Sequence, residues 1–178
     1  KKTIPALARN IGAKQAAGDI LVFLDSDAIP AVDWLQNISK ACHAGRRVGG
    51  GSIEIPAFQM KNLIALAQFF LQFNEFMCSG SERRKRFSPS CNLFCEKKLF
   101  MDVGGFPEIR AAEDVLFGLK VSQVAEYWFV PNIKIFHIFR ESARSFLANQ
   151  MLLGKYVLIY RRAYYGKIYY KGLLPALF

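Results

Sequence analysis

Two aspartates one residue apart, Asp25 and Asp27, stand directly after the apolar run Ile20-Leu-Val-Phe-Leu24. Carboxylates released together from a rigid strand into a turn can share a hard divalent cation. Mg²⁺ or Mn²⁺ held by one or two carboxylates completes its shell with water and phosphate oxygens. In open α/β sheets ligands bind outside the carboxyl ends of the strands, which is where this pair falls. The pair also suits a plain surface turn, with Asp27 as a cap for a following helix. Other chemistry-bearing residues carry the same double reading. Glu113 and Asp114 head an apolar helical pattern, where acidic side chains are favoured by the helix dipole whatever else they do. His137 lies between Ile135-Phe136 and Ile138-Phe139, the setting of a core histidine, and Arg9 taken alone is a surface arginine.

The elements that must position these residues follow from periodicity and punctuation. Ile4 to Ala17 has helical spacing and stops at Gly18. The unbroken apolar run 20–24 reads as a strand buried on both faces, hence central in a covered sheet. A second helix opens at Asp33-Trp34-Leu35 and runs to about Cys42. Val48 to Ile55 reads as a strand entered through glycines, and a long helix is expected from about Gln59 to Met77. The polar stretch Ser79 to Ser90, with its basic run Arg83-Arg-Lys-Arg86, reads as a loop. Cys91 to Cys95 is strand-like and leads into a short helix and the turn Gly104-Gly-Phe-Pro107. Glu113 to Val124 is helical, and Tyr127 to Val130 is a strand closed by Pro131. Strands alternating with helices make an α/β domain.

Composition narrows the partners. The 178 residues are enough for one domain with a core, and 52% hydrophobic content with 16 Phe excludes a disordered chain. Lys plus Arg number 24 against 14 Asp plus Glu, and a net charge of +10 calls for an anionic partner: phosphate, nucleic acid or an acidic membrane surface. The basic residues are spread over separate places with no recognition motif, so nucleic acid is not expected. Four cysteines make no disulfide framework at this size. Cys91 and Cys95 lack a second pair to complete a structural zinc site, and both histidines are distant from them in sequence. Reduced thiols are therefore expected. The basic start KKTIPALARN has no long apolar core and no initiator Met, which points to a piece of a longer protein.

The motifs taken together are more specific than any one of them. Ala8-Arg-Asn-Ile-Gly12, then Ala17-Gly-Asp19, then an apolar strand ending Phe23-Leu-Asp-Ser-Asp27 resembles glycosyltransferase family 2, the inverting nucleotide-sugar transferases of the GT-A fold. The resemblance continues through Asn92 to Glu108, similar to that family's acceptor-side segment with its Gly-Gly-Phe-x-Glu turn. Glu113-Asp114 is similar to its Glu-Asp motif, and Ile135-Phe-His137 with Arg140, Gln150 and Gly154 resembles the polysaccharide-synthesising members. It covers about residues 6 to 155. Family members begin with further strand and helix units, so the resemblance implies a GT-A mixed sheet flanked by helices and missing its first strands.

By that resemblance residues 1–155 are the catalytic domain. It would move a sugar from a nucleotide-diphosphate donor, UDP-linked, to a glycan or lipid-linked acceptor with inversion, for cell-surface polysaccharide or glycolipid synthesis. Asp27 would hold the Mn²⁺ or Mg²⁺, with Asp25 directed to the ribose or supporting the metal and His137 on the metal side. Arg9 and Asn10 would meet the donor diphosphate, and Asn92 the donor sugar or the acceptor. Asp114 would be the general base, with Glu113 lining the acceptor site. Residues 156–178 carry six of the seven tyrosines among basic side chains, a pattern suited to the headgroup layer of an anionic membrane, and place the protein at the cytoplasmic face of the cell membrane, peripheral or anchored by further segments. A basic membrane-surface or polyanion-binding module with a decayed site would share the charge but show no dependence on metal or nucleotide.

Overall fold

The computed structural model describes residues 3–165, with side chains described to residue 158. Its strands are β1 (Ile20–Leu24), β2 (Ala28–Pro30), β3 (Val48–Glu54), β4 (Arg83–Lys85), β5 (Asn92–Glu96) and β6 (Tyr127–His137). Its helices are α1 (Pro5–Gln15), α2 (Trp34–His43), α3 (Leu63–Phe73), α4 (Lys97–Asp102), α5 (Glu113–Val121) and α6 (Ala143–Tyr165). The strand order is β1-β5-β3-β6-β2, with β4 added to β6. β3 and β6 run parallel and the other pairs antiparallel, so the sheet is mixed.

Side-chain alternation along β5 sorts the core into two layers. Leu93 and Cys95 point to a cluster with Leu21, Phe23, Ala6 and Ala13 of α1, and Phe117 and Val121 of α5. Phe94 points the other way, to Trp34 and Ile38 of α2 with Ile53, Phe129 and Ile135. Helices thus cover both faces, and the two alanines let α1 lie close on the sheet. Phe23, Phe100, Phe106 and Phe117 form one aromatic knot there, with ring centroids 4.9 Å apart in the closest pair.

Four expectations change. Among the described residues β1 is not central: it pairs with β5 alone, Leu21 and Phe23 are buried, and Ile20, Val22 and Leu24 on its other face are exposed. A continuous apolar run does not tell one covered face from two. The long helix is cut to α3, because Asn62 caps it by accepting from the N–H groups of Ile64 and Ala65, and single 3₁₀ turns flank it. β6 continues through Pro131 to His137. The register with β3 slips between Gly51 and Ile53, and there the Ser52 hydroxyl donates to the Pro131 carbonyl at 2.7 Å. A bulge absorbs the missing N–H. A Cβ on Gly51 would lie 1.7 Å from the Ile133 carbonyl oxygen, so only glycine permits this approach.

The fourth change concerns the basic run, which forms β4 rather than a loop. Arg84 pairs with Glu126, Lys85 pairs with Glu75 at 2.9 Å, and the Arg83 guanidinium lies 4.2 Å over the Phe129 ring. Arg83, Arg84 and Lys85 are thus engaged by acidic and aromatic neighbours. α6 runs across residue 155 without a break. Residues 166–178, most of the Tyr-rich tail, lie outside the described residues. Among the described residues no helix is long and apolar enough to cross a membrane.

Candidate active site

Strand register builds the site. Leu24 faces Asn92 across β1 and β5, so the next residues outward, Asp25 and Cys91, adjoin at the sheet edge. Ala28 faces His137 across β2 and β6, and the Ile138 N–H donates to the Asp27 carbonyl at 2.8 Å. The Asp25-Ser-Asp27 turn therefore crosses the strand ends and meets the end of β6. Ligand atoms of Asp25, Cys91 and His137 come within 4.8 Å of one another, and His137 Nε2 lies 3.6 Å from Asp27 Oδ1. Burial lowers the proton affinity of His137, outweighing the Asp27 and Asp25 carboxylates, and favours the neutral imidazole that ligates metals. Among the described residues the buried His137 Nδ1 has no hydrogen-bond partner. This donor set fits a divalent cation, with Asp27 the outermost member, its side chain 56% exposed.

Arg9 joins this cluster to the second carboxylate pair. One terminal nitrogen donates to Asp25 Oδ1, the other to Glu113 Oε1 at 2.8 Å, and the side chain is largely buried. Its two arms supply counter-charge to the half-buried Asp25, 30% exposed, and to the buried Glu113, 9% exposed. Asn10 turns inward as well. Its amide donates to the Phe106 carbonyl at 2.8 Å and accepts from the Phe106 N–H at 2.9 Å, clamping α1 to the Gly-Gly-Phe-Pro turn. Gly105 leaves room for that clamp: it has φ +66°, and a Cβ there would lie 2.8 Å from Asn10 Oδ1. Asn10→Ala leaves both Phe106 backbone groups unpaired and is expected to cost about 2–4 kcal/mol of stability, read by urea denaturation. A loss under about 0.5 kcal/mol would remove the clamp from the account.

Asn92 is 1% exposed. Its amide donates to the carbonyls of Ser52 (3.0 Å) and Ile133 (2.8 Å), and its oxygen accepts from Trp34 Nε1 (2.9 Å). It ties β5, β3, β6 and α2 together, opposite Leu24 at the strand end that leads into Asp25. Interior packing takes up Trp34 as well, which is 7% exposed.

Glu113 and Asp114 begin α5, after Ala112 in the left-handed region at φ 66°. For a non-glycine residue that conformation costs about 1–2 kcal/mol and is over-determined by its surroundings. Burial, then the neighbouring Asp114, push Glu113 up to about 7 despite Arg9. Burial also raises Asp114, against the N–H groups of Val115 (2.8 Å) and Ser90 (3.2 Å) that donate to its two oxygens. Burial thus raises the proton affinity of both carboxyls, which suits a group that must accept a proton from a hydroxyl.

Sequence reasoning missed Cys91. It was paired by spacing with Cys95, but the two side chains enter opposite core layers, Cys91 beside Trp34 and Cys95 beside Leu99. His137, distant in sequence, is the residue that reaches Cys91, through the pairing of β1 with β5 and of β2 with β6.

The family described as glycosyl transferase family 2 matches residues 1–106. The chain belongs to glycosyltransferase family 2. This family 2 chain is 33% identical over 101 residues to glycosyltransferase AglE of Haloferax volcanii, covering 56% of this chain and 32% of that protein. It is 26% identical over 159 residues to the pre-mycofactocin glycosyltransferase of Mycobacterium tuberculosis, covering 84% of this chain and 33% of the relative. The chain thus spans about a third of the length of the curated relatives it matches. Its structure is similar to the mannosyltransferase PcManGT from Pyrobaculum calidifontis in complex with GDP-Man and Mn²⁺ (TM-score 0.62, 17% identity, 99% of this chain and 49% of that one). It is also similar to GalNAc-T7 with UDP, GalNAc and Mn²⁺ (TM-score 0.60, 17% identity, 79% and 31%). The mixed sheet flanked by helices is the GT-A fold.

Proposed function

We propose that this chain is the catalytic part of an inverting glycosyltransferase that moves a sugar from a nucleotide-diphosphate donor, UDP-linked, to a glycan or lipid-linked acceptor. The observation that carries the reading is one continuous site. The strand-end carboxylates Asp25 and Asp27, with His137 3.6 Å from Asp27, are joined through Arg9 to the buried pair Glu113–Asp114. Family membership and the nucleotide complexes of the similar structures support it.

The roles follow from position. Asp27, exposed at the strand end, and His137, held neutral beside it, would hold a divalent cation together with Asp25. A bound Mn²⁺ or Mg²⁺ would supply positive charge for the departing diphosphate. Arg9 fixes the orientation of Asp25 and Glu113, and Asn92 and Asn10 fix the strands and turn that carry them. Asp114 takes the acceptor hydroxyl proton, and Glu113 lines the acceptor side.

The setting we assign is the cytoplasmic face of a membrane, in the synthesis of cell-surface polysaccharide or glycolipid. Supporting it are the net charge of +10 and the exposed apolar residues Leu63 and Phe70 of α3 and Met151 of α6. The competing reading, a basic polyanion-binding module, loses support because β4 spends its charges on Glu75, Glu126 and aromatic rings. Calorimetric titration of UDP tests the proposal. Binding is expected in Mn²⁺, lost with a chelator and weaker for GDP. Equal binding with and without metal would sink it.

A further inference from the structure

We propose that Cys91 is a ligand of the cation this site takes, so that the site offers nitrogen, oxygen and sulfur donors. The assignment rests on the cation site proposed above. Cys91 is 4% exposed, and its Sγ lies within 4.8 Å of both an Asp25 carboxylate oxygen and an His137 ring nitrogen. Three donor types from three chain segments, converging on one point, are a coordination set rather than a lone thiol. Arg9 occupies Oδ1 of Asp25, which leaves Oδ2 for a cation. His137 is 9% exposed, with Nε2 3.6 Å from Asp27 Oδ1, so the imidazole is fixed between Asp27 and the Asp25–Cys91 pair.

The consequence is selectivity. Carboxylate oxygens alone suit Mg²⁺ and Mn²⁺, whereas a thiolate beside an imidazole favours borderline and soft dications such as Zn²⁺, Co²⁺ and Cd²⁺. The register explains why Cys91 is in place: it precedes β5 by one residue and sits opposite Asp25, so no side-chain rearrangement across the sheet is needed. Affinity order is a weak test, because Zn²⁺ and Co²⁺ exceed Mn²⁺ at most nitrogen and oxygen sites. The test must see sulfur.

Titration with Co²⁺ reads sulfur directly through the near-ultraviolet thiolate-to-metal charge-transfer band. It is made on the intact chain and on Cys78→Ser, which removes the exposed thiol. One saturable band is expected in both. Cys91→Ser is expected to lose the band and to bind Co²⁺ about tenfold or more weaker, while Mn²⁺ affinity, read by electron paramagnetic resonance, changes far less. Cadmium NMR of Cys78→Ser needs no change at Cys91, and its resonance is expected at the shift of a sulfur-bound ion. A band lost only in Cys91→Ser, or that cadmium shift, supports the assignment whether or not UDP binds. No band in the intact chain together with a cadmium shift free of sulfur overturns it, even where UDP binds with Mn²⁺. A band unchanged in Cys91→Ser overturns it equally.

Discussion

Asp114→Asn is expected to lower turnover by about 10²–10⁴-fold, the contribution of one positioned general base, with little change in UDP affinity. The structure gives the reason for the separation. Asp114 sits on α5 and meets the cation end indirectly, through Glu113 and Arg9 and through the Ser90 N–H next to Cys91, so an isosteric change there leaves Asp25, Asp27 and His137 in place. The amide keeps one acceptor for the N–H groups of Ser90 and Val115 and sets an NH₂ against the other, a cost of about 1–2 kcal/mol that circular dichroism and denaturation will register apart from turnover. The pH profile supplies the sign. Burial holds the Glu113–Asp114 pair protonated to higher pH than ordinary carboxyls, with Glu113 at about 7. A base must be deprotonated, and burial raises Asp114, so kcat/KM should rise with pH and level off at a higher pH than an ordinary carboxylate would give. Unaltered turnover in Asp114→Asn, or a profile already flat from pH 5 to 8, would take the base assignment away from this pair.

Asp27→Ala is expected to abolish Mn²⁺-dependent UDP binding and to reduce turnover by about 10²–10³-fold, the scale of one lost electrostatic contact to a leaving group. The fold should survive. The Asp27 side chain is over half exposed, and the bond that docks the turn on β6 uses its backbone carbonyl, which alanine retains. His137 provides an independent readout. Asp27 raises its proton affinity, so the variant should keep the imidazole neutral to lower pH, visible in the ring resonances. Unchanged UDP titration in a folded variant would remove Asp27 from the site, and with it the strand-end reading from which the function was argued.

The two predictions divide the site at Arg9. On one side stand groups that would meet cation and diphosphate, on the other the pair that would meet the acceptor. The largely buried guanidinium pairs with a carboxylate on each side. In the proposed site Arg9 is a positioning residue, and so are Asn10 and Asn92, whose amides bond to the protein itself.

By itself the sequence determined the α/β class, the strand that ends at Asp25, the helix that starts at Glu113, and the family. Each of these is written in short-range patterns: an apolar run closed by acids, a turn of glycines, motifs in a set order. It also marked Arg9, Asn10 and Asn92 as residues that matter. It did not show what they do, because a side chain's partner is a matter of pairing between distant segments. Arg9 meets Glu113 from 104 residues away and Asn10 meets Phe106 from 96. The strand order had the same character: the apolar run 20–24 reads identically for a central strand and for an edge strand with one face open. Tertiary structure alone decided that Cys91 joins Asp25 and His137 while Cys95 enters the other core layer. The physical reason is that Cys91 precedes β5, so strand alternation does not bind it to the face of Leu93 and Cys95, while the pairing of Leu24 with Asn92 brings it beside Asp25.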